Sequence, residues 1–164
     1  MTSSEMNKVL KKLYAERDQL LGHEMKTSSF VAATTENIEE IRPEYDLPAT
    51  NEALREIEKK IRDFKHRLNV FNSTHVVEEV GMTIDEILIY LPQQHMRVAT
   101  LENMTRRLPR ERVPSQYNAR TNMIEYNYLN YDLADAQRLY QAAAEELSRT
   151  QIALDRVNTT VCVP

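Results

Sequence analysis

Residues 38–77 read IEEIRPEYDLPATNEALREIEKKIRDFKHRLNVFNSTHVV, and 86 positions later residues 124–163 read IEYNYLNYDLADAQRLYQAAAEELSRTQIALDRVNTTVCV. Without a gap, Ile38, Glu39, Tyr45, Asp46, Leu47, Leu68, Asn72, Thr74 and Val77 coincide with Ile124, Glu125, Tyr131, Asp132, Leu133, Leu154, Asn158, Thr160 and Val163. The identities gather at the two ends of the stretch. Between them Leu54, Ile57, Ile61, Phe64, Leu68 and Phe71 recur at alternating steps of three and four, a helical stripe and the narrow seam of a coiled coil. Tyr140, Ala143, Leu147, Thr150, Leu154 and Val157 keep the same phase with smaller side chains. A self-similarity of this length makes half of the chain the folding unit.

Working outward, Asp46 and Asp132 stand where a helix N-cap is needed, and Pro48 falls in the first turn, where a missing N–H costs nothing. Asn72 and Asn158 are expected to close the helices in left-handed caps, with the neighbouring Ser and Thr hydroxyls bonding nearby carbonyls. That placement also gives the Asn72-Ser73-Thr74 and Asn158-Thr159-Thr160 patterns a structural reason in place of glycosylation. Upstream, Thr2 with Glu5 and Thr83 with Glu86 have capping-box spacing. Met6, Val9, Leu10, Leu13 and Leu20 then match Ile84, Ile87, Leu88, Leu91 and Val98 at a shift of 78, which makes the second excursion eight residues longer than the first and sets His95 against Arg17. Pro92 should bend the third helix. Residues 26–44 lose the helical period and read as an extended excursion or hairpin; residues 123–131, MIEYNYLNY, alternate as a half-buried strand does. The tail Val161, Cys162 and Val163 mirrors His75, Val76 and Val77 and is expected to pair with it.

Bulk composition narrows the function classes. The 164 residues suit one domain, 1–164, built of two repeats over about 3–80 and 83–163. Cys162 is the single cysteine, so no internal disulfide is available. Charged residues make up 28% and glycine is only 2, which favours long polar-faced helices over turn-rich sheets. The formal net charge of −4 argues against a surface devoted to nucleic acid. No apolar run approaches the roughly 20 residues of a membrane span, and we expect a cytoplasmic chain.

Chemistry-bearing constellations are few. Neither glycine lies in a phosphate-cradling frame. Of the histidines His23, His66, His75 and His95, only His66 stands in an Asp63-x-x-His66 spacing, half of what a helical metal site needs. Neither a catalytic residue nor a cofactor is implied, and the role expected is non-enzymatic. Lys59, Lys60, Arg62, Lys65 and Arg67 line the second helix, while Arg97, Arg106, Arg107, Arg110, Arg112 and Arg120 cluster at and beyond the end of the third. The macrodipole favours cations there, and Arg106, Arg107, Arg110 and Arg112 could also grip an anion or an acidic partner.

Arg67-Leu68-Asn69-Val70-Phe71-Asn72, Thr83-Ile84-Asp85-Glu86-Ile87-Leu88 and Leu154-Asp155-Arg156-Val157-Asn158-Thr159-Thr160 together resemble the septicolysin-like family of small, mostly uncharacterised helical bacterial proteins. The resemblance implies the helical layout and, through the family's name, a membrane-active alternative; it supplies no catalytic residue. Our reading is a mainly α protein of two tandem helix–excursion–helix repeats, forming antiparallel hairpins in a four-helix, coiled-coil-like assembly with short β segments. The expected role is a scaffold or protein-interaction module, self-associating as a dimer or higher oligomer through Ile57, Phe64 and Phe71. The alternative is an RNA or anion binder that uses the arginines between 106 and 120.

Overall fold

The computed structural model describes residues 1–113 and 124–164. Its elements are α1 (Ser3–Thr27), a short α2 (Ile38–Ile41), α3 (Leu47–Thr74), β1 (Val76–Val77), β2 (Met82–Thr83), α4 (Ile84–Thr105), β3 (Arg110–Arg112), β4 (Tyr126–Tyr128) and α5 (Leu133–Thr160). The chain is therefore mainly helical, with two short antiparallel strand pairs among the described residues. It divides into two compact units: Met1–His75 with Arg156–Pro164, and Val76–Asp155.

Every long helix starts where a side chain can take up its unpaired amides. Thr2 accepts from Glu5 N, and the Glu5 carboxylate accepts from Thr2 N at 2.9 Å. Thr83 and Glu86 repeat this reciprocal pair, with the carboxylate 2.7 Å from Thr83 N. Asp46 accepts from Ala49 N at 3.0 Å, and Asp132 from Ala134 N at 2.7 Å. Both Tyr-Asp-Leu identities thus fall at a capped helix start. The preceding tyrosines also have parallel tasks: Tyr45 donates its hydroxyl to the Glu24 carboxylate near the end of α1 and Tyr131 to the Met104 carbonyl near the end of α4, both at 2.8 Å.

In the first unit α1 packs on α3. Met6, Leu10 and Leu13 of α1, Ile61, Leu68 and Phe71 of α3, and Val163 of the tail are buried. In the second unit Val77, Ile84, Ile87, Leu101, Ala136, Leu147, Ala153 and Leu154 are buried, together with Thr150, which donates to the Glu146 carbonyl of its own turn and so leaves no orphaned hydroxyl. The stripes read from the sequence are the inward faces of α3 and α5: Ile61 and Leu68, 7% exposed each, correspond to Leu147 and Leu154 at 8% and 6%.

For the first and third long helices, the shift of 78 read from the apolar spacing sets a buried position on an exposed one. At 78, Leu10 would match Leu88, yet Leu10 is 5% exposed and Leu88 48%. The capping boxes at Thr2 and Thr83 lie 81 apart, and that shift sets Met6 on Ile87, both fully buried. A shift of 81 would set His95 against Tyr14 in place of Arg17 and make the second excursion longer by five residues, because Asp46 and Asp132 lie 86 apart. The apolar spacing alone could not choose, since a slip of three residues leaves a helical stripe nearly in phase.

Three further expectations are corrected. Asn72 and Asn158 are not left-handed caps: α3 and α5 run on to Thr74 and Thr160, and among the described residues Gly81 alone has positive φ, at 73°. Ser73 and Thr74 donate to the Val70 carbonyl at 3.1 and 2.7 Å, and Thr159 and Thr160 to that of Arg156 at the same distances. The hydroxyls satisfy the last turn within right-handed geometry, without the strain a left-handed asparagine carries. The tail does not pair with residues 75–77. Cys162 bridges Thr2 and Val163 N donates to Met1 O at 2.8 Å, whereas Val76 pairs with Thr83 and Val77 with Met82. Each N-cap threonine is extended, with ψ of 163° and 159°, and so presents a backbone edge to an incoming strand. Finally, residues 26–44 form no hairpin. The Asn37 side chain accepts from Glu39 N and starts the single turn of α2, and Arg42, held extended before Pro43, ends it.

Asp132→Ala should lower stability by about 1 kcal/mol in thermal or urea unfolding, and Leu68→Ala and Leu154→Ala by roughly 2 to 5 kcal/mol each; a change within error for either leucine would contradict its place in the core. Backbone and hydroxyl donors at Thr83 hold the Glu86 carboxyl below the usual carboxylate range. A depressed folded pKa contributes stability above the ordinary carboxylate value and loses it as pH falls through the lowered one. The urea midpoints of wild type and Glu86→Gln should therefore stand apart at neutral pH and converge in acid.

Candidate functional site

Two surfaces stand apart from the filled cores. The first is the β3–β4 ribbon. Its register pairs Arg110 with Tyr128, Glu111 with Asn127 and Arg112 with Tyr126, and Val113 N to Glu125 O and Leu129 N to Pro109 O extend the ladder. Directly opposed residues share a face, so Arg110, Arg112, Tyr126 and Tyr128 project to one side and Glu111 and Asn127 to the other. Every residue of both strands is exposed. The Arg110 guanidinium lies 4.1 Å from the Tyr126 ring centroid, and the two tyrosine rings stand 6.3 Å apart at 53°.

Of the arginines singled out by sequence, Arg106 is tied to Glu102 one turn back in α4, so the helix itself absorbs its charge. Arg107, Arg110 and Arg112 have no ion pair among the described residues. Arg97 is exposed on α4, and Arg120 and Met123 lie outside the described residues.

The second surface is the outer side of α4. Residues 87–96 contain no Asp, Glu, Lys or Arg. Ile87 is buried and Leu91 half-buried, while Leu88, Ile89, Pro92 and Met96 are exposed, Met96 to 73%. At 100° per residue these four side chains fall within an arc of about 100°. The bulky positions first assigned to self-association lie elsewhere: Phe71 is 5% exposed and stacks on His75 at 4.7 Å, and Ile57 and Phe64 are half-buried on the inward side of α3. Side chains chosen for size belong to the core here; the sequence signal for the outward surface is the uncharged run, in which apolar residues exceed what one face can bury.

The histidines are held singly. His95 shares a hydrogen bond of 3.0 Å with Gln151, and Tyr14 meets the Lys65 ammonium at 5.8 Å from the ring centroid. Asp63 and His66 are exposed on α3, and His23 is exposed on α1. Among the described residues no three His, Cys, Asp or Glu side chains gather as a metal ion would require. No helix among the described residues is long and apolar enough to cross a membrane.

Among the described residues two phenols are perturbed. Tyr90 donates to the Glu146 carboxylate at 2.6 Å and Tyr45 to that of Glu24; the hydrogen bond, reinforced by partial desolvation and the carboxylate's charge, raises both above the ordinary phenol value. Each proton is shared with an anion, so ionising the phenol would set two like charges in contact. These contacts fasten α4 to α5 and α1 to the segment before α3, and neither opens onto the two surfaces above.

Neither a family model nor a curated protein matches the chain. A solved structure of a functionally unknown conserved protein from Corynebacterium diphtheriae is similar to it at 16% identity, over 96% of this chain and 95% of that one, with a TM-score of 0.56. At this identity the likeness speaks for the fold alone.

An alkaline absorbance titration should show tyrosines ionising later than the rest, and Tyr90→Phe should remove one of the late phenols. If the late fraction survives both Tyr90→Phe and Tyr45→Phe, the hydrogen bonds to Glu146 and Glu24 are not its cause.

Proposed function

We propose that this chain is a non-enzymatic, helical interaction module that self-associates, with the outer side of α4 as its contact surface. The observation that carries the reading is the uncharged run of residues 87–96 with Leu88, Ile89, Pro92 and Met96 exposed along one arc. A helix in water ordinarily spends that arc on charged residues, as α3 does with Glu52, Arg55, Glu56, Lys59 and Arg62. Contiguous exposed apolar surface bounded by polar residues marks an association site, and here Asp85 and Glu86 stand before the arc and Arg97 behind it. Two copies of one helix face can meet about a two-fold, the commonest symmetry of soluble oligomers.

The internal repeat belongs to this proposal as well. Equivalent caps, back-bonded hydroxyls and buried leucines at matching offsets support two helix–excursion–helix halves with a common ancestor. We also propose kinship with the septicolysin-like family: two of the three stretches that carry the resemblance end α3 and α5, and the third spans the capping box of α4.

Sedimentation equilibrium tests the contact. Wild type should show a mass above 19.2 kDa at micromolar concentration, and Ile89→Glu with Met96→Glu should return it to monomer with unchanged helical circular dichroism. A wild-type chain that stays monomeric through a hundredfold rise in concentration would falsify the reading.

A further inference from the structure

We propose that the arginine and tyrosine face of the β3–β4 ribbon is a binding site for single-stranded nucleic acid. The inference is independent of self-association through α4. A hairpin of two three-residue strands is marginal unless it packs on something, yet all six residues of this ribbon are exposed. Ring and cation are therefore kept where they gain nothing from a core. The register gathers two guanidinium groups and two phenol rings on one side and leaves Glu111 and Asn127 on the other, so the single carboxylate of the ribbon does not neutralise the face. Arg107, at the end of α4, adds a further cation without an ion pair among the described residues.

The ligand class follows from using both components. A strand of nucleotides offers flat bases and phosphates in alternation, and proteins hold such strands with aromatic platforms and arginines. Rings 6.3 Å apart and tilted by 53° cannot make one continuous stack, but each can receive its own unstacked base. Arg110 already braces Tyr126 from one side, which orients that ring before a ligand arrives, while Arg112 remains available to a phosphate. An acidic polypeptide would use the guanidinium groups alone and leave both rings in water. Duplex DNA would hide its bases from them. The net charge of −4 does not oppose the site, because positive charge is local: Arg107, Arg110 and Arg112 against Glu111 between residues 107 and 112.

The experiment measures fluorescence anisotropy of a labelled fifteen-nucleotide oligouridylate with the full chain at about 50 mM salt, where phosphate contacts are strong. Binding should appear, be competed by oligothymidylate, and be competed poorly by polyphosphate, which lacks bases, and by polyglutamate. Tyr128→Leu, which keeps strand propensity but removes the ring, should weaken binding roughly 5- to 100-fold, and Tyr128→Phe should restore it. Arg112→Gln should lower the slope of log affinity against log salt by about 0.7, the share of one phosphate contact to a single strand. Asn127→Ala, on the opposite face, should leave affinity unchanged. Should Tyr128→Leu disturb the ribbon, the salt slope of Arg112→Gln still decides the matter. The proposal is overturned by an absence of binding at low salt, by polyglutamate or polyphosphate competing as well as the oligonucleotide, or by an Arg112→Gln slope equal to that of wild type.

Discussion

A helix begins with amide groups that its own turns cannot satisfy, and this chain is organised around the residues that satisfy them. Thr2, Asp46, Thr83 and Asp132 each accept from an amide two or three residues ahead, so each long helix has a fixed first residue. Fixing the start also fixes phase, since the buried faces of Met6 and Ile87 or of Leu68 and Leu154 follow from counting turns onward from a cap. The caps have a second consequence. Because the residue before the helix must be extended, Thr2 and Thr83 offer a strand edge, and residues 162 and 76 pair with those edges. Helix initiation and strand pairing are thus one constraint, which explains why so short a strand as Val76–Val77 forms at all.

Matching positions keep the task and change the chemistry. Tyr45 and Tyr131 both tie an excursion back to the preceding helix, one through a carboxylate and the other through a carbonyl. Tyr14 and Lys65 meet as ring and cation, and His95 and Gln151 share a hydrogen bond. In these last two contacts a pair of amphipathic side chains bridges neighbouring helices near the surface, where any polar or aromatic contact excludes water nearly as well. Leu68 and Leu154, by contrast, are buried and identical.

The surfaces with functional promise lie where these constraints are absent. The outer arc of α4 has neither a cap nor a core to serve, yet it is apolar; the ribbon has no core to cover, yet it is aromatic and basic. Residues that neither fold nor packing requires are those for which binding is the economical explanation. Ile57, Phe64 and Phe71, chosen for bulk, turned out to face inward because bulk is what an interior selects.

Local chemistry was legible in the sequence. Thr-x-x-Glu, Tyr-Asp-Leu and the hydroxyls before His75 and Val161 act over at most four residues, and their bonds stand where spacing placed them. The helical class and the inward stripes of α3 and α5 follow from the same short-range periodicity. Decisions between distant segments were not legible. A slip of three residues preserves a helical stripe, so periodicity alone set buried Leu10 on exposed Leu88. The tail and residues 75–77 are alike enough to suggest each other as partners, but each is recruited by an extended N-cap instead, and only the folded backbone brings those edges within reach. Likewise Arg110 and Tyr126 lie 16 positions apart in the chain, and their union on one face depends on a strand register that no local pattern specifies.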